Sequence, residues 1–171
     1  MRAARILLVA VAFAVAVAAL LTPAAGAALT PLESGVLSDI NAFRRAHHLQ
    51  PLRVSARLDE AARAHTLQMA HDGYFAHESA DGSAFWQRIQ AFYPSSAWAY
   101  WSVGENLLYS SPDITPAKAL QMWLASPEHR ANLMNPRWRE IGVAAVHESA
   151  APGVYEGRRV TIVTTDFGVR R

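Results

Sequence analysis

The stretch IGVAAVHESAAPGVYEGRRVTIVTTDF, residues 141–167, decides the fold. Two β-branched segments within it, 141–147 and 154–167, are bounded by Pro-Gly and by Gly, which is typical of an antiparallel hairpin or a larger sheet. Upstream of this stretch the apolar residues recur at helical spacing instead. Helices first and strands last predict an α+β fold in which helices pack on a sheet.

The predicted helices share two kinds of signal, apolar periodicity and capped starts. Val36, Ile40 and Phe43 fall on one helical face, and Ser55 can cap the next helix. Thr115-Pro116 and Ser126-Pro127 each place a capping hydroxyl before a proline that suits the first helical position. These signals predict helices over residues 31–47, 55–71, 84–91, from 115 onward and 126–134, with an irregular segment over 93–104.

The N-terminus has the layout of a secretory signal peptide. A basic stretch over 1–5 precedes an apolar run of 16 residues, 6–21, and Ala25-Gly26-Ala27 offers a cleavage site. The alternative is a permanent membrane anchor, but a spanning helix needs about 20 residues. We therefore expect a signal peptide over 1–27 and a single domain over 28–171. The expected protein is secreted, extracellular or in the cell envelope, without a stable transmembrane anchor after cleavage.

Composition excludes several function classes. The full chain holds 16 Lys and Arg against 14 Asp and Glu, and loss of Arg2 and Arg5 with the signal leaves equal numbers. A neutral mature chain without a basic stripe argues against a nucleic-acid partner. Because there is no cysteine, thiol chemistry and cysteine-ligated zinc are excluded.

The common local catalytic motifs are missing. None of the seven histidines belongs to a His-Glu-x-x-His zinc motif, because His77-Glu78 and His147-Glu148 both lack the second histidine. Neither a Gly-x-Ser-x-Gly elbow nor a phosphate-binding glycine loop is present. These absences leave any catalytic function without a recognisable signature.

A spaced pattern across the chain is more informative. Its segments are Ala61-x-x-x-His65, Gly73-Tyr74-Phe75-Ala76-His77, Gly104-Glu105-Asn106-Leu107, Trp123-x-x-Ser126-Pro127-x-His129-Arg130-x-Asn132-Leu133 and Ile141-Gly142-Val143. In this order they resemble the CAP superfamily (cysteine-rich secretory proteins, antigen 5 and pathogenesis-related 1 proteins), in its bacterial, cysteine-free branch. The resemblance covers residues 35–169, and the Gly-Glu-Asn and Trp-x-x-Ser-Pro-x-His-Arg segments together are quite specific.

The resemblance implies an α-β-α sandwich with a central antiparallel sheet and a polar cleft. In the family two histidines and two acidic residues line this cleft, sometimes with a divalent metal. His77, Glu105 and His129 match three of them. Ser126 stands where plant and animal members usually have the second acid, which leaves nearby Glu128 as a candidate cleft residue. No cofactor is required on this interpretation, and His77 and His129 are the candidate ligands for a divalent metal such as zinc.

Other residues of the pattern have structural explanations. Glu105 could bind backbone amides in an irregular loop while orienting a histidine, and Asn106 could tie down the same loop. We expect His65 to be a core histidine, and Arg130 and Asn132 to make structural hydrogen bonds. Three aromatic residues could form a wall for sugar or lipid or could simply fill the core: Trp98, Tyr100 and Trp101.

Two functions remain open at this point. The resemblance implies a non-enzymatic extracellular module that binds a small apolar or cell-envelope ligand, since relatives have been linked to sterol and fatty-acid binding. The alternative is a metal-dependent, peptidase-like hydrolase in which His77, His129 and Glu105 leave one zinc position open for water. We favour the binding module because the acidic set is incomplete and no catalytic motif is present.

Overall fold

The computed structural model describes residues 28–171, and the predicted signal peptide lies outside this range. Five α-helices and four β-strands make up the domain. In chain order they are α1 (Pro31–Ala46), β1 (Arg53–Val54), α2 (Ala56–Asp72), α3 (Phe85–Phe92), β2 (Trp101–Ser110), α4 (Pro116–Ala125), α5 (Pro127–Met134), β3 (Glu140–Ala151) and β4 (Arg158–Arg170), with a short 3₁₀ turn over Gly153–Tyr155.

The helix starts follow from local chemistry. In α1 the Thr30 hydroxyl accepts from the Glu33 N–H at 3.3 Å while the Glu33 carboxylate accepts from the Thr30 N–H at 2.7 Å, a reciprocal cap. Proline begins α4 and α5 as predicted. At α2 the Ser55 side chain makes no capping hydrogen bond. Instead the Ser55 N–H donates to the Ile141 carbonyl at 2.9 Å, which ties α2 to the sheet.

The sheet has the strand order β1-β3-β4-β2. The predicted hairpin is present, since β3 and β4 are antiparallel, although the 3₁₀ turn takes the first residues assigned to its second strand. β2 pairs antiparallel with β4 along its whole length and forms one end of the sheet. The prediction of an irregular segment over 93–104 is wrong at its end, because residues 101–104 already belong to β2.

Helices cover both faces of the sheet, which gives the α-β-α sandwich. α2 and α3 pack together on one face, and α1, α4 and α5 pack together on the other. At Gly142 of β3 an added Cβ would lie 2.1 Å from the Leu58 carbonyl carbon. Only glycine permits this close approach of the α2 backbone to the sheet. On the opposite face Trp123 and Phe167 are fully buried in the larger apolar core.

Within residues 28–171 no helix is long and apolar enough to cross a membrane.

Candidate functional site

A cleft of about 430 Å³ opens at the outer edge of β2. The segment after α2 supplies one wall, α5 supplies the opposite wall, and β2 lies between them. All four predicted cleft residues line this space. The full lining is His77, Glu78, Phe85, Val103, Gly104, Glu105, Glu128, His129 and Asn132. A larger groove of about 640 Å³, beside α2 at His71 and Glu148, contains none of the predicted site residues.

Glu105 is the organising residue of the cleft. It lies in β2, so the expectation that it binds backbone amides in an irregular loop is wrong. Its side chain is only 1% exposed, and one carboxylate oxygen, Oε1, accepts from Nδ1 of His77 at 2.7 Å. The other oxygen, Oε2, accepts from the guanidinium of Arg88 on α3. Both carboxylate oxygens are therefore committed to neighbouring side chains.

This contact fixes the tautomer of His77 and favours its protonated form. Because a carboxylate only accepts, Nδ1 carries the proton and Nε2 is the ring nitrogen that remains for a ligand. The hydrogen bond to Glu105 raises the pKa of His77, against the opposing effect of partial burial. The side chain of His77 is 46% exposed, so it is accessible to solvent and to a ligand. The arrangement resembles the carboxylate that orients a histidine ligand in metal sites.

Hydrogen bonds to β2 hold α5 and its His129 in place. The Asn106 side-chain amide donates to the His129 carbonyl at 3.1 Å. The Asn132 amide donates to the Glu105 carbonyl at 3.0 Å and to the Asn106 side-chain oxygen at 2.9 Å. Burial lowers the pKa of His129, and the nearby His77 adds to this effect. His129 therefore contributes a neutral imidazole to the wall opposite His77.

Gly104 allows α5 to approach β2 closely. A Cβ added at Gly104 would lie 2.9 Å from the Asn132 side-chain oxygen and 2.9 Å from a ring carbon of Trp138. Glycine in the Gly-Glu-Asn segment therefore makes room for the asparagine that links the two walls.

Glu128 lies at the rim of the cleft and is exposed. Its carboxylate accepts from the Ser126 hydroxyl at 3.1 Å, and backbone N–H donation at the helix start lowers its pKa, with Ser126 adding to the effect. Ser126 also occupies the cap position of α5. The residue that stands in place of the family's second acid thus has a structural role.

Three charged or polar groups lie behind the cleft. His65 is buried as expected, and its Nε2 lies 2.9 Å from the Ala76 carbonyl. Sequence reasoning missed Arg88 and Asp166. Arg88 gives no signal, because an arginine in a short amphipathic helix is unremarkable. Asp166 does give one, since it is the only acidic residue in the apolar run over 160–169.

The three aromatic residues do not form a wall of the cleft, but Tyr100 and Trp101 pack partly buried against the apolar core, as the core-filling alternative predicts. Trp98 and Tyr100 lie outside the cleft lining, and the guanidinium groups of Arg170 and Arg171 cover their rings. Trp101 also lies outside it and donates from Nε1 to the Tyr93 carbonyl at 2.8 Å. The Arg130 side chain makes no hydrogen bond to any residue of the 28–171 range, whereas Asn132 makes the expected ones.

The side chains of the cleft supply only part of the ligands that a metal ion needs. His77 Nε2 and His129 are two imidazole donors, but Glu105 is occupied by His77 and Arg88. Within residues 28–171 no group of three or more His, Cys, Asp or Glu side chains is arranged to hold a metal ion. Structural and catalytic zinc sites commonly use four and three protein ligands, respectively. A cation here would depend on water or a bound ligand for the rest of its coordination.

The fold and cleft together define a class of helix–sheet–helix sandwiches with a histidine and glutamate cleft at a sheet edge. The family model described as the Cysteine-rich secretory protein family matches residues 37–164, and the chain belongs to this CAP family, in its bacterial, cysteine-free form. It is 30% identical over 129 residues to the uncharacterized protein YkwD of Bacillus subtilis, and it is also 30% identical over 114 residues to the membrane protein YlbC of the same organism.

Solved structures agree on the fold. An outer surface protein of Borrelia burgdorferi superposes with a TM-score of 0.63 at 20% identity, over 80% of this chain and 90% of that one. An extracellular SCP-domain protein of Bacillus anthracis gives 0.59 at 28% identity, over 85% of this chain and 45% of that one. The chain spans 48% of the length of YkwD and 31% of YlbC, so the relatives contain further sequence.

Proposed function

We propose that this chain is an extracellular, non-enzymatic binding module that takes a small ligand between His77 and His129. One observation carries the proposal. Both oxygens of the buried Glu105 are held by His77 and Arg88, so the carboxylate orients an imidazole and is not free to bind zinc or activate water. A peptidase-like mechanism through His77, His129 and Glu105 would need that free carboxylate. The cleft therefore offers recognition groups, while the buried carboxylate that such a mechanism would use is already bound to His77 and Arg88.

Export rests on the N-terminal sequence and gains support from relatives. The Bacillus anthracis relative is an extracellular protein and the Borrelia relative is an outer surface protein. We expect the full chain, expressed in a bacterial host, to appear outside the cytoplasm with Ala28 as its first residue. N-terminal sequencing of the exported protein checks this. Full-length chain retained in the membrane fraction would instead indicate an anchor.

The ligand's chemistry is constrained by the cleft lining. Phe85 and Val103 are its large apolar members, while the two histidines, three glutamates and Asn132 are polar. An apolar, lipid-like ligand remains a prediction, and these two side chains are its support. Solvent extraction of the natively exported protein, followed by mass spectrometry, tests it. Recovery of no lipid from wild type, against an equal amount of His77→Ala as background, would remove the lipid-like ligand from the proposal.

A divalent cation is the second component to test. His77 Nε2 and His129 would hold it, and it would supply a positive charge for a ligand oxygen. Because no group of three or more His, Cys, Asp or Glu side chains within residues 28–171 is arranged to hold a metal ion, we expect weak zinc binding that each of His77→Ala and His129→Ala abolishes. His71→Ala is the matched control, since His71 lies outside the cleft with its side chain 89% exposed. Zinc binding unchanged in both cleft variants would place the cation elsewhere.

A further inference from the structure

The outer edge of β2 lies inside the cleft through Val103, Gly104 and Glu105. β2 ends the sheet order, so only one side of this strand pairs with another strand. Tyr100 and Arg171, just beyond the strand ends, exchange two backbone hydrogen bonds of 2.9 and 3.0 Å, and the β2–β4 register then continues without a shift. Because antiparallel pairs alternate, residues 101, 103, 105, 107 and 109 direct their N–H and C=O groups away from β4.

Side chains already cover two of these outward carbonyls. The Asn132 amide donates to the Glu105 carbonyl at 3.0 Å, and the Trp123 indole donates to the Leu107 carbonyl at 3.1 Å. Val103 differs. Within the part of the chain that the structure describes, neither its N–H nor its C=O has a hydrogen-bond partner, although Val103 lines the cleft. An unpaired donor and acceptor on one edge residue are what an added strand requires.

The fixed charges at the cleft rim are negative. Glu78 and Glu128 are exposed and line opposite walls, whereas the charge of Glu105 is compensated by Arg88. His77 offsets part of this charge when it is protonated. Successive side chains of an extended chain point to opposite faces. Two adjacent cationic residues on a strand beside Val103 would therefore approach Glu78 with one side chain and Glu128 with the other.

We infer that the cleft binds an extended peptide segment with two adjacent Lys or Arg residues, one of which exchanges both backbone hydrogen bonds with Val103. This inference rests on the proposed function, because it names the ligand class of the same cleft. It requires no chemical step, only the addition of a short strand to the free edge of β2.

Backbone methylation of a probe peptide tests the strand pairing. The probe is acetyl-Ala-Lys-Lys-Ala-amide, titrated into the full chain while the amide NMR signals of Val103 and Glu105 are followed. We expect saturable shifts of both signals. N-methylation of one of the two Lys amides should weaken binding about fivefold to tenfold, because it removes a hydrogen-bond donor. Replacing both Lys by Glu should abolish binding, and added salt should weaken the original peptide.

A protein variant tests the same contact from the other side. Val103→Pro removes the outward N–H at an edge position where proline is tolerated, and Val103→Ala keeps it. We expect Val103→Pro to bind the peptide about fivefold to tenfold more weakly than Val103→Ala. If Val103→Pro does not fold, the methylated peptides still decide the question.

The possible outcomes distinguish failure of the peptide inference from failure of the proposed binding module. Equal binding of both N-methylated peptides and the parent peptide would overturn the strand pairing. Failure of every peptide, while another ligand shifts the ring signals of His77 and His129, would overturn the inference and leave the binding module intact. Peptide binding that leaves His77, His129 and Val103 unperturbed would place the peptide outside the cleft and would also overturn the inference.

Discussion

Glu105 and Asp166 occupy paired positions on β2 and β4, and both carboxyl groups are buried on the same face of the sheet. Arg88 and His77 bind Glu105, whereas neither oxygen of Asp166 has a hydrogen-bond partner among residues 28–171. Burial raises the pKa of Asp166 well above its usual range, and the negative charge of Glu105 adds to the effect. Burial and the neighbouring charge of Glu105 therefore favour the protonated form of Asp166 in the folded protein.

This pairing predicts the effect of Asp166→Asn on stability. A carboxyl whose pKa is raised by folding contributes stability below its unfolded pKa of about 3.9, and that stability is lost as the pH rises through the folded pKa. Asparagine does not ionise, so the Asp166→Asn variant does not lose this stability as the pH rises. We expect its free energy of unfolding to exceed that of wild type at pH 7 and the difference to shrink toward pH 4. Denaturant titrations at several pH values measure it.

The surface variant Asp72→Asn is the control, and its stability should stay within about 0.5 kcal/mol of wild type. An Asp166→Asn variant that is less stable than wild type at pH 7 would contradict this prediction.

Arg88 should be far more important to stability than its place in a short helix indicates. Arg88→Met leaves Glu105 buried without its cationic partner, which costs on the order of 3–5 kcal/mol when one member of a buried pair is removed. Arg63→Met, at an exposed position of α2, should change the free energy of unfolding by less than about 0.5 kcal/mol. Thermal or denaturant unfolding compares the two variants, and similar losses in both would refute the role assigned to Arg88.

Glu105→Gln should lower the pKa of His77. The hydrogen bond and charge of Glu105 raise that pKa in the native protein, and a neutral amide removes the charge while keeping the shape. NMR titration of the His77 ring follows the change directly. Glu128→Gln serves as the control, because Glu128 makes no hydrogen bond to His77 and should leave its pKa unaltered. A wild-type pKa for His77 in both variants would refute the role of Glu105 in orienting His77.

His65 should make the protein sensitive to acid. Burial lowers the pKa of His65 to about 4, so between pH 6.5 and 4 the unfolded chain binds a proton that the folded chain does not. Stability from this group is present above pH 6.5 and falls on acidification, by roughly 3 kcal/mol across that window. His65→Gln should lose this pH dependence, whereas His71→Gln should retain it. Unfolding curves from pH 7 to 4 test the difference, and an identical slope in wild type and His65→Gln would contradict it.

Local signals explain which helices and strands could be predicted from sequence. Thr30, Thr115 and Ser126 are caps that act within three residues, so the starts of α1, α4 and α5 follow from the sequence itself. β2 gives no clear strand pattern in the sequence because Gly104, Glu105 and Asn106 interrupt its apolar residues. Its conformation comes from pairing with β4, about 60 residues further along the chain. Such long-range pairing produces little recognisable pattern in the sequence of the strand itself.

The residues of the site likewise fall into a group that the sequence predicts and a group that it does not. His77, Glu105 and His129 emerge from the spaced family pattern, and the structure places all three in one cleft. The partnership of Arg88 with Glu105 depends on how α3 packs beside β2, which no local motif encodes. The position of Asp166 behind Glu105 is a matter of strand register. Sequence could identify residues that line the cleft but not the side chains that hold them in place.

Turnover is the most direct test of the claim that this cleft binds rather than hydrolyses. The full chain, its His77→Ala variant and its His129→Ala variant are each supplied with zinc and incubated with a panel of peptides and peptidoglycan fragments, and cleavage products are counted by mass spectrometry. The committed carboxylate of Glu105 predicts no cleavage by wild type above the level of the two variants. Repeated turnover by wild type that disappears in both variants would contradict the binding module and establish a metal-dependent hydrolase.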